Sequence, residues 1–471
     1  MKKIKIVSGL KRKSFFERIP HAITMIFSII VLITVLTYIL PAGTYERFEL
    51  NGRNTVLPNS YRIIPSTSIN ILEMFTAIPL GFKAAVDIIF IVLAGGIMFR
   101  FMEKANAVEN GIGVLIKNLG LDRKNLIVVI MTFIYGLLGV AIGYENNIAM
   151  IPIAAVLSLA IGGDLILAAG ISVGAMTIGF GLSPINPYTV GTGHKLAELP
   201  MFSGALLRTI LCFFGLCIMA IYNVHYFKKI IADPSKSLAI GLNIQNLNLS
   251  KQIDEYTLNN KNWSVLGIFI TGLIVILYGV FNLNWHIVEL SGVFLMIALG
   301  CGIVSSMDAN TIGNTVLEGV SQAAPGAFMV GFATTIKVLM EMGNIGDTIS
   351  YQLSNMLNGL PQYLSAISMA LSQSVINFFI PSGSGQAVAT LPVMLPLGES
   401  LGLSKQITIL AFQIGDGLTN LVNPSLGGLI AMLSMGRVPI DRWIRFIFPV
   451  LLILLAGAFI FLNFALVTNY S

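Results

Sequence analysis

Long apolar runs separated by short polar connectors set the rhythm of this chain. Runs at 21–40, 83–104, 164–184, 203–226, 263–282, 287–306, 318–341, 404–422 and 441–467 are each about as long as the ~20 residues a helix needs to cross a bilayer. The pattern predicts nine crossings. The first run follows a basic segment, as a cleaved leader would. Its exit, Leu40-Pro41-Ala42-Gly43, lacks a small-x-small cleavage pattern, so we read an uncleaved helix. Two more apolar stretches, 125–160 and 362–400, break midway at small and polar residues. We read both as re-entrant helical hairpins, because non-helical backbone at membrane depth must be covered by protein or water.

Charge orients this path. Segments 1–18, 100–124, 228–261 and 437–445 hold 20 of the 28 Lys and Arg. The opposite side holds Arg47, Arg53, Arg62, Lys195 and Lys405. The positive-inside rule then predicts a multi-pass protein of the plasma (cytoplasmic) membrane with a cytoplasmic N-terminus and the C-terminus outside. The expected organisation is a cytoplasmic tail (1–18), a first repeat (19–226), a cytoplasmic linker (227–262), a connecting helix (263–282) and a second repeat (283–471). Segment 42–77 reads as the largest outside loop.

Composition agrees. Hydrophobic residues make up 55% of the chain and charged ones 11%, and mean hydropathy is +0.83. A soluble domain carries roughly 25% charged residues, so a soluble enzyme is excluded. The net charge of +6 lies in flanking loops and is no nucleic-acid signal. Cys212, Cys217 and Cys301 all sit in apolar segments, which excludes a disulfide scaffold.

The two halves share patterns at a near-constant offset. Met102-Glu103-x-x-Asn106 matches Met340-Glu341-x-x-Asn344. Gly143-Tyr144-Glu145-Asn146-Asn147 precedes Pro152 as Gly383-Ser384-Gly385-Gln386-Ala387 precedes Pro392. Gly179-Phe180-Gly181-Leu182-Ser183 leads to Asn186-Pro187, and Gly415-Asp416-Gly417-Leu418-Thr419 leads to Asn423-Pro424. The offsets are 236 to 240 residues. One extra crossing between the copies would invert the second, and inverted repeats with interrupted helices mark secondary transporters. The expected fold is therefore all-α and polytopic, with two re-entrant hairpins (125–160 and 362–400), two broken helices (164–200 and 404–435) and elevator-type scaffold and transport domains. Segments 107–119 and 345–358 read as helices lying along the interface, arms between a moving and a fixed part.

Four polar clusters fall at the predicted midplane. They supply the candidate substrate-binding residues: Glu145, Asn146 and Asn147 at the first tip; Ser382, Ser384 and Gln386 at the second; Ser183, Asn186 and Thr189 in the first broken helix; and Asp416, Thr419, Asn420, Asn423 and Ser425 in the second. Interrupted helices free backbone groups: N-terminal ends suit a carboxylate, and C-terminal ends suit Na⁺ or an ammonium group. A sodium ion could sit near Asn147, Asn186, Ser384 and Asn423. Glu145 and Asp416 stand out, because a carboxylate at membrane depth needs a partner or a proton. The plainer alternatives are that the Asn and Ser residues satisfy their own broken backbone, and that the acids pair with Lys337 or Arg208. Met-Glu at 102–103 and 340–341 reads as interfacial capping. The sequence carries no P-loop, Gly-x-Ser-x-Gly or His-Glu-x-x-His. Neither enzymatic activity nor a cofactor is expected.

The second-half motifs Pro381-Ser382-Gly383-Ser384-Gly385-Gln386-Ala387, Leu395-Pro396-Leu397-Gly398 and Ile409-Leu410-Ala411-Phe412-Gln413-Ile414-Gly415-Asp416-Gly417, with Gly143-x-Glu145 in the first half, resemble those of the YfcC family of the ion transporter superfamily. That family is related to the C4-dicarboxylate uptake carriers. The resemblance implies a homodimer, each protomer having a fixed scaffold and a mobile transport domain. It also implies a basic amino acid antiporter of the arginine/ornithine type, in which Glu145 and Asp416 neutralise the substrate's positive groups. The alternative is a Na⁺- or H⁺-coupled carrier of C4-dicarboxylates or other small carboxylates, with the acids holding the cation and helix N-termini the anion.

Overall fold

The computed structural model describes residues 22–470 apart from 51–52, 143–144, 187, 246, 248–249, 252, 284 and 358. It is an all-α bundle with one small β extension. Among the described residues, five helices are long and apolar enough to cross a membrane: Ala205–Ala232, Asn260–Asn282, Ile287–Val304, Ala309–Met342 and Ile440–Val467. Large apolar side chains stay exposed along them, among them Leu206, Phe213, Ile221, Met296, Ile303 and Ile460. Water would penalise such a belt, and lipid accepts it. This is a polytopic membrane protein.

Several boundaries differ from expectation. The span predicted from residue 83 begins at Ile71 and is a bent pair, Ile71–Ala84 and Val86–Lys104, with a 58° break. Asn70 starts it with a capping box in which its side chain accepts from Glu73 N–H and Glu73 caps it back. The run at 318–341 begins nine residues earlier, at Ala309, behind the Asp308 N-cap. The 42–77 segment is not a plain loop. Gly43–Thr44 pairs antiparallel with Arg62–Ile63, and Arg47–Leu50 with Arg53–Val56.

The order of elements recurs. Behind the helix Val86–Lys104 come a short arm (Ala107–Leu119), a hairpin (Lys124–Ile142 and Ile151–Ala160), a broken helix (Leu165–Gly181, with a π turn at Gly170–Gly174, then Val190–Leu196) and the long helix Ala205–Ala232. Behind Ala309–Met342 come an arm (Gly346–Asn355), a hairpin (Gln362–Phe379 and Gly383–Ser400), a broken helix (Lys405–Thr419 and Gly427–Met435) and Ile440–Val467. Asn106 (φ 55°) and Asn344 (φ 48°) turn the chain into the two arms through left-handed backbone. Asparagine tolerates that conformation better than most residues, which gives the shared Met-Glu-x-x-Asn pattern its physical role at the corner.

The broken helices form the centre. Every residue from Gln406 to Leu418 is buried. The two helices cross at Gly181 and Gly417, positions 236 residues apart in the repeat. A Cβ on either glycine would collide with the backbone of the other, so only glycine lets the helices meet this closely. Contacts are reciprocal elsewhere too. Gly81 packs on Thr335, while Gly319 packs on Ile97. Each residue of the second contact lies 238 positions from one residue of the first.

Candidate functional site

A cavity of about 370 Å³ opens where the chain is interrupted. Its wall combines the bend at Ala84 and Ala85, the second hairpin tip from Pro381 to Ser384, the breaks around Tyr188 and Asn420, and the first residues of Gly427–Met435. Asp87, His286 and Lys337 bring charged or titratable groups to it. Two helices begin at this wall. Ser382 caps Gly383–Ser400, its hydroxyl accepting from Gly385 N–H at 3.3 Å, and Gly427–Met435 starts behind Leu426. Unpaired N–H groups and partial positive charge collect at such ends.

Asp416 lies directly behind this wall. It is fully buried, and neither carboxylate oxygen has a hydrogen-bond partner among the described residues. A Cβ built on Gly383 would come within 3.3 Å of Asp416 Oδ2 and 2.6 Å of Thr189 Cγ2, so Gly383 is the thin partition between the acid and the cavity. The buried Thr189 hydroxyl also lacks a partner there. The alternative pairings for Asp416 fail. Arg208 donates to Gln413 Oε1, the Ser203 carbonyl and the Tyr470 hydroxyl at 3.1, 3.1 and 2.7 Å. Lys337 pairs loosely with Glu341 at 3.6 Å.

Of the other candidates, Ser382, Ser384, Asn420 and Ser425 line the cavity. Asn186 and Asn423 both bond backbone groups, Asn186 within its own break and Asn423 between its break and the second hairpin. Asn186 Nδ2 donates to the Phe180 carbonyl at 3.1 Å and its Oδ1 accepts from Tyr188 N–H at 2.8 Å. Asn423 Nδ2 donates to the Asn377 carbonyl at 2.8 Å and its Oδ1 accepts from Ser425 N–H at 3.0 Å. Gln386 is buried in a pairing with Gln373, at 2.7 Å. Ser183 reaches the Val140 carbonyl at 3.4 Å, and the buried Asn147 donates to the Leu138 carbonyl. The Thr419 hydroxyl donates to the Gly415 carbonyl at 2.6 Å. The side chains of Glu145 and Asn146 lie outside the described residues.

Sequence reasoning missed Asn377. Its amide faces the Asp416 carbonyl, Thr419 Oγ1 and Asn420 Oδ1 at 2.8, 2.9 and 2.8 Å, tying the second hairpin to the second break. The sole signal was a polar residue late in an apolar arm. It also missed His286 as a wall residue, ranked Asp87 as a weaker candidate near the interface, and gave Lys337 a pairing or snorkelling role.

The model of the C4-dicarboxylate anaerobic carrier family, DcuC, matches residues 19–467. The chain belongs to this family. It is 28% identical to an Escherichia coli (strain K12) protein named "Putative basic amino acid antiporter YfcC", over 90% of this chain and 92% of that one. It is 24% identical to an uncharacterized Haemophilus influenzae protein, over 94% and 95% of the two chains. Among solved structures it resembles Neisseria gonorrhoeae MtrF, of a class of antimetabolite efflux pumps (TM-score 0.45, 15% identity, 94% and 95% covered). It also resembles the Alcanivorax borkumensis YdaH transporter (TM-score 0.44, 15% identity, 96% and 99% covered). Membership of this family makes the chain a secondary transporter of small polar or charged solutes.

Proposed function

We propose that this protein is a cation-coupled carrier of small carboxylates, the C4-dicarboxylates being the leading class. The observation that carries the reading is the division of labour at the cavity. On one side stand the start of Gly383–Ser400, the start of Gly427–Met435 and the ammonium of Lys337, a setting for anionic oxygens. Behind Gly383 lies Asp416, a carboxylate without a counter-charge. A buried acid in this state carries a proton or a bound cation. A substrate carboxylate at the wall and a cation at Asp416 offset each other, so the loaded site crosses at lower cost than either charge alone. The family's name points to the same substrate class.

The reciprocal contacts and the Gly181–Gly417 crossing support an inverted repeat with a local two-fold axis between the broken helices. In this reading the hairpins and broken helices move together past a scaffold of long helices, and Asn186 and Asn423 keep the breaks in shape. A second reading, exchange of basic amino acids, is favoured by the acidic Asp87 on the cavity wall and by the name of the Escherichia coli relative.

Thermal unfolding of the purified protein separates the two. A ligand at 100 times its Kd adds about 2.7 kcal/mol, a visible rise in Tm. Succinate raises Tm, more so with the coupling cation present, and arginine leaves it unchanged. Stabilisation by arginine or ornithine alone would transfer the assignment to the second reading.

A further inference from the structure

The two arm helices are each pinned by a loop at equivalent positions, although the two loops share no sequence pattern. Glu109, in the first turn of the first arm, accepts from the backbone N–H and hydroxyl of Ser250 and from the Tyr256 hydroxyl at 2.6, 2.7 and 2.6 Å. Asp347, in the first turn of the second arm, accepts from Arg47 Nη2 on both oxygens at 2.7 and 2.8 Å and from Tyr45 N–H at 3.0 Å. These acids lie 238 residues apart. Four residues further along each arm an aromatic contact repeats the match. The Tyr256 ring lies against Gly113, and Tyr61 stacks on Tyr351 with ring centroids 4.0 Å apart. Gly113 and Tyr351 are again 238 residues apart.

Each clamp also borders a cavity between arm and hairpin. One, of about 480 Å³, runs from Glu103 and Glu109 to Val156 of the first hairpin. The other, of about 410 Å³, runs from Glu341 and Asp347 to Ala389 of the second. Glu103 and Glu341 are equivalent at the same offset. Only the second cavity shares a residue, Lys337, with the substrate cavity. Burial works against the charged form of Glu109, and the donors from Tyr256 and Ser250 outweigh it, holding this carboxyl below its usual range.

We propose that Tyr45, Arg47 and Tyr61 on one side and Ser250 and Tyr256 on the other form opposed clamps on the two faces of the carrier, and that Asp347 and Glu109 are positioning residues that set the balance between its two access states. Each clamp holds its arm at the corner made by Asn106 or Asn344. Releasing one frees that arm and lets the hairpin beside it move away, opening the cavity on that face while the opposite cavity closes. The inference rests on the carrier reading. Its test uses no substrate, so it fails or succeeds apart from the substrate class.

The test is maleimide labelling of single cysteines, Ala389→Cys or Val156→Cys, in a background with Cys212, Cys217 and Cys301 replaced. An exposed ion pair contributes up to about 1 kcal/mol, so a shift of three- to fivefold is expected. Arg47→Gln speeds labelling at position 389 by that factor and slows it at position 156. Glu109→Ala does the reverse, and Tyr256→Phe, a milder change, follows Glu109→Ala at reduced size. The double variant Arg47→Gln/Glu109→Ala returns both rates towards the starting values. If each variant raises labelling at both positions, the clamps only hold the fold together and the proposal is overturned. Unchanged rates at both positions overturn it as well.

Discussion

The two broken helices share a plan and differ at one decisive position. Both break before an asparagine whose side chain is held by backbone groups, and both contribute a glycine to the central crossing. Yet the Gly-x-Gly of the first holds Phe180 where that of the second holds Asp416, and the first hairpin presses Gly139 against its broken helix while the second presents Asn377 to its own. The first half offers an aromatic wall and a glycine pressed onto the backbone at Met176. The second offers a buried acid and the amide network beside it. In the proposed carrier the shared features build the frame, and the differences between the halves carry the chemistry.

Substitutions can test this contrast from either side. The largest effect belongs to the crossing. Gly417→Ala and Gly181→Ala each drive a methyl into opposing backbone. Overpacking costs about 1–3 kcal/mol where side chains can yield, and here the obstacle is main chain, so folded yield in detergent falls sharply for both. Near-normal thermal unfolding of either variant would show that the helices separate easily and that the crossing is not central. Asn377→Ala comes next. It strips buried partners from the second break, at about 1–3 kcal/mol, whereas Gly139→Ala acts by collision and leaves no polar group unpaired. Rescue by Asn377→Gln, measured as recovered substrate binding, separates the network from simple bulk.

Asn186→Ala and Asn423→Ala form a matched pair, and each loses about 1 kcal/mol of stability. A difference above about 1 kcal/mol between them, measured by denaturant unfolding in micelles, would break the equivalence of the two breaks. The smallest effect is Lys337→Met. It removes one partly exposed charge from the cavity wall and weakens carboxylate binding by about fivefold, since such an interaction is worth up to about 1 kcal/mol. Isothermal titration with succinate checks it.

Much of the frame was legible in the chain. Apolar runs gave the long helices, and Gly, Pro and Asn clusters marked the breaks. The repeated Gly-x-Gly and Asn-Pro patterns aligned the halves before any contact was known. What could not be read was which polar residues face inward to each other and which face the cavity. Asn186 and Asn423 read as candidate ligands because each sits where an apolar helix is interrupted. In the fold both side chains bond backbone groups, Asn186 within its own break and Asn423 between its break and the second hairpin. Lys337 and Asp87 carried no pattern, because their place on the wall comes from how separate helices pack. The bend at Ala85 was equally hidden, since its neighbours are all helix-compatible. The clamp at Asp347 depends on Arg47, 300 residues away in the chain, a distance no local pattern bridges.

The account turns on Asp416 as the group that links cation to substrate. The direct test is accumulation of labelled succinate in proteoliposomes with and without an imposed proton or sodium gradient, comparing the unaltered protein with Asp416→Asn. Asparagine keeps the shape but has neither the titratable proton nor the negative charge that balances a bound cation. The unaltered protein should concentrate succinate under the gradient, while Asp416→Asn should exchange succinate without concentrating it. Gradient-driven accumulation by Asp416→Asn at the unaltered level would contradict the claim.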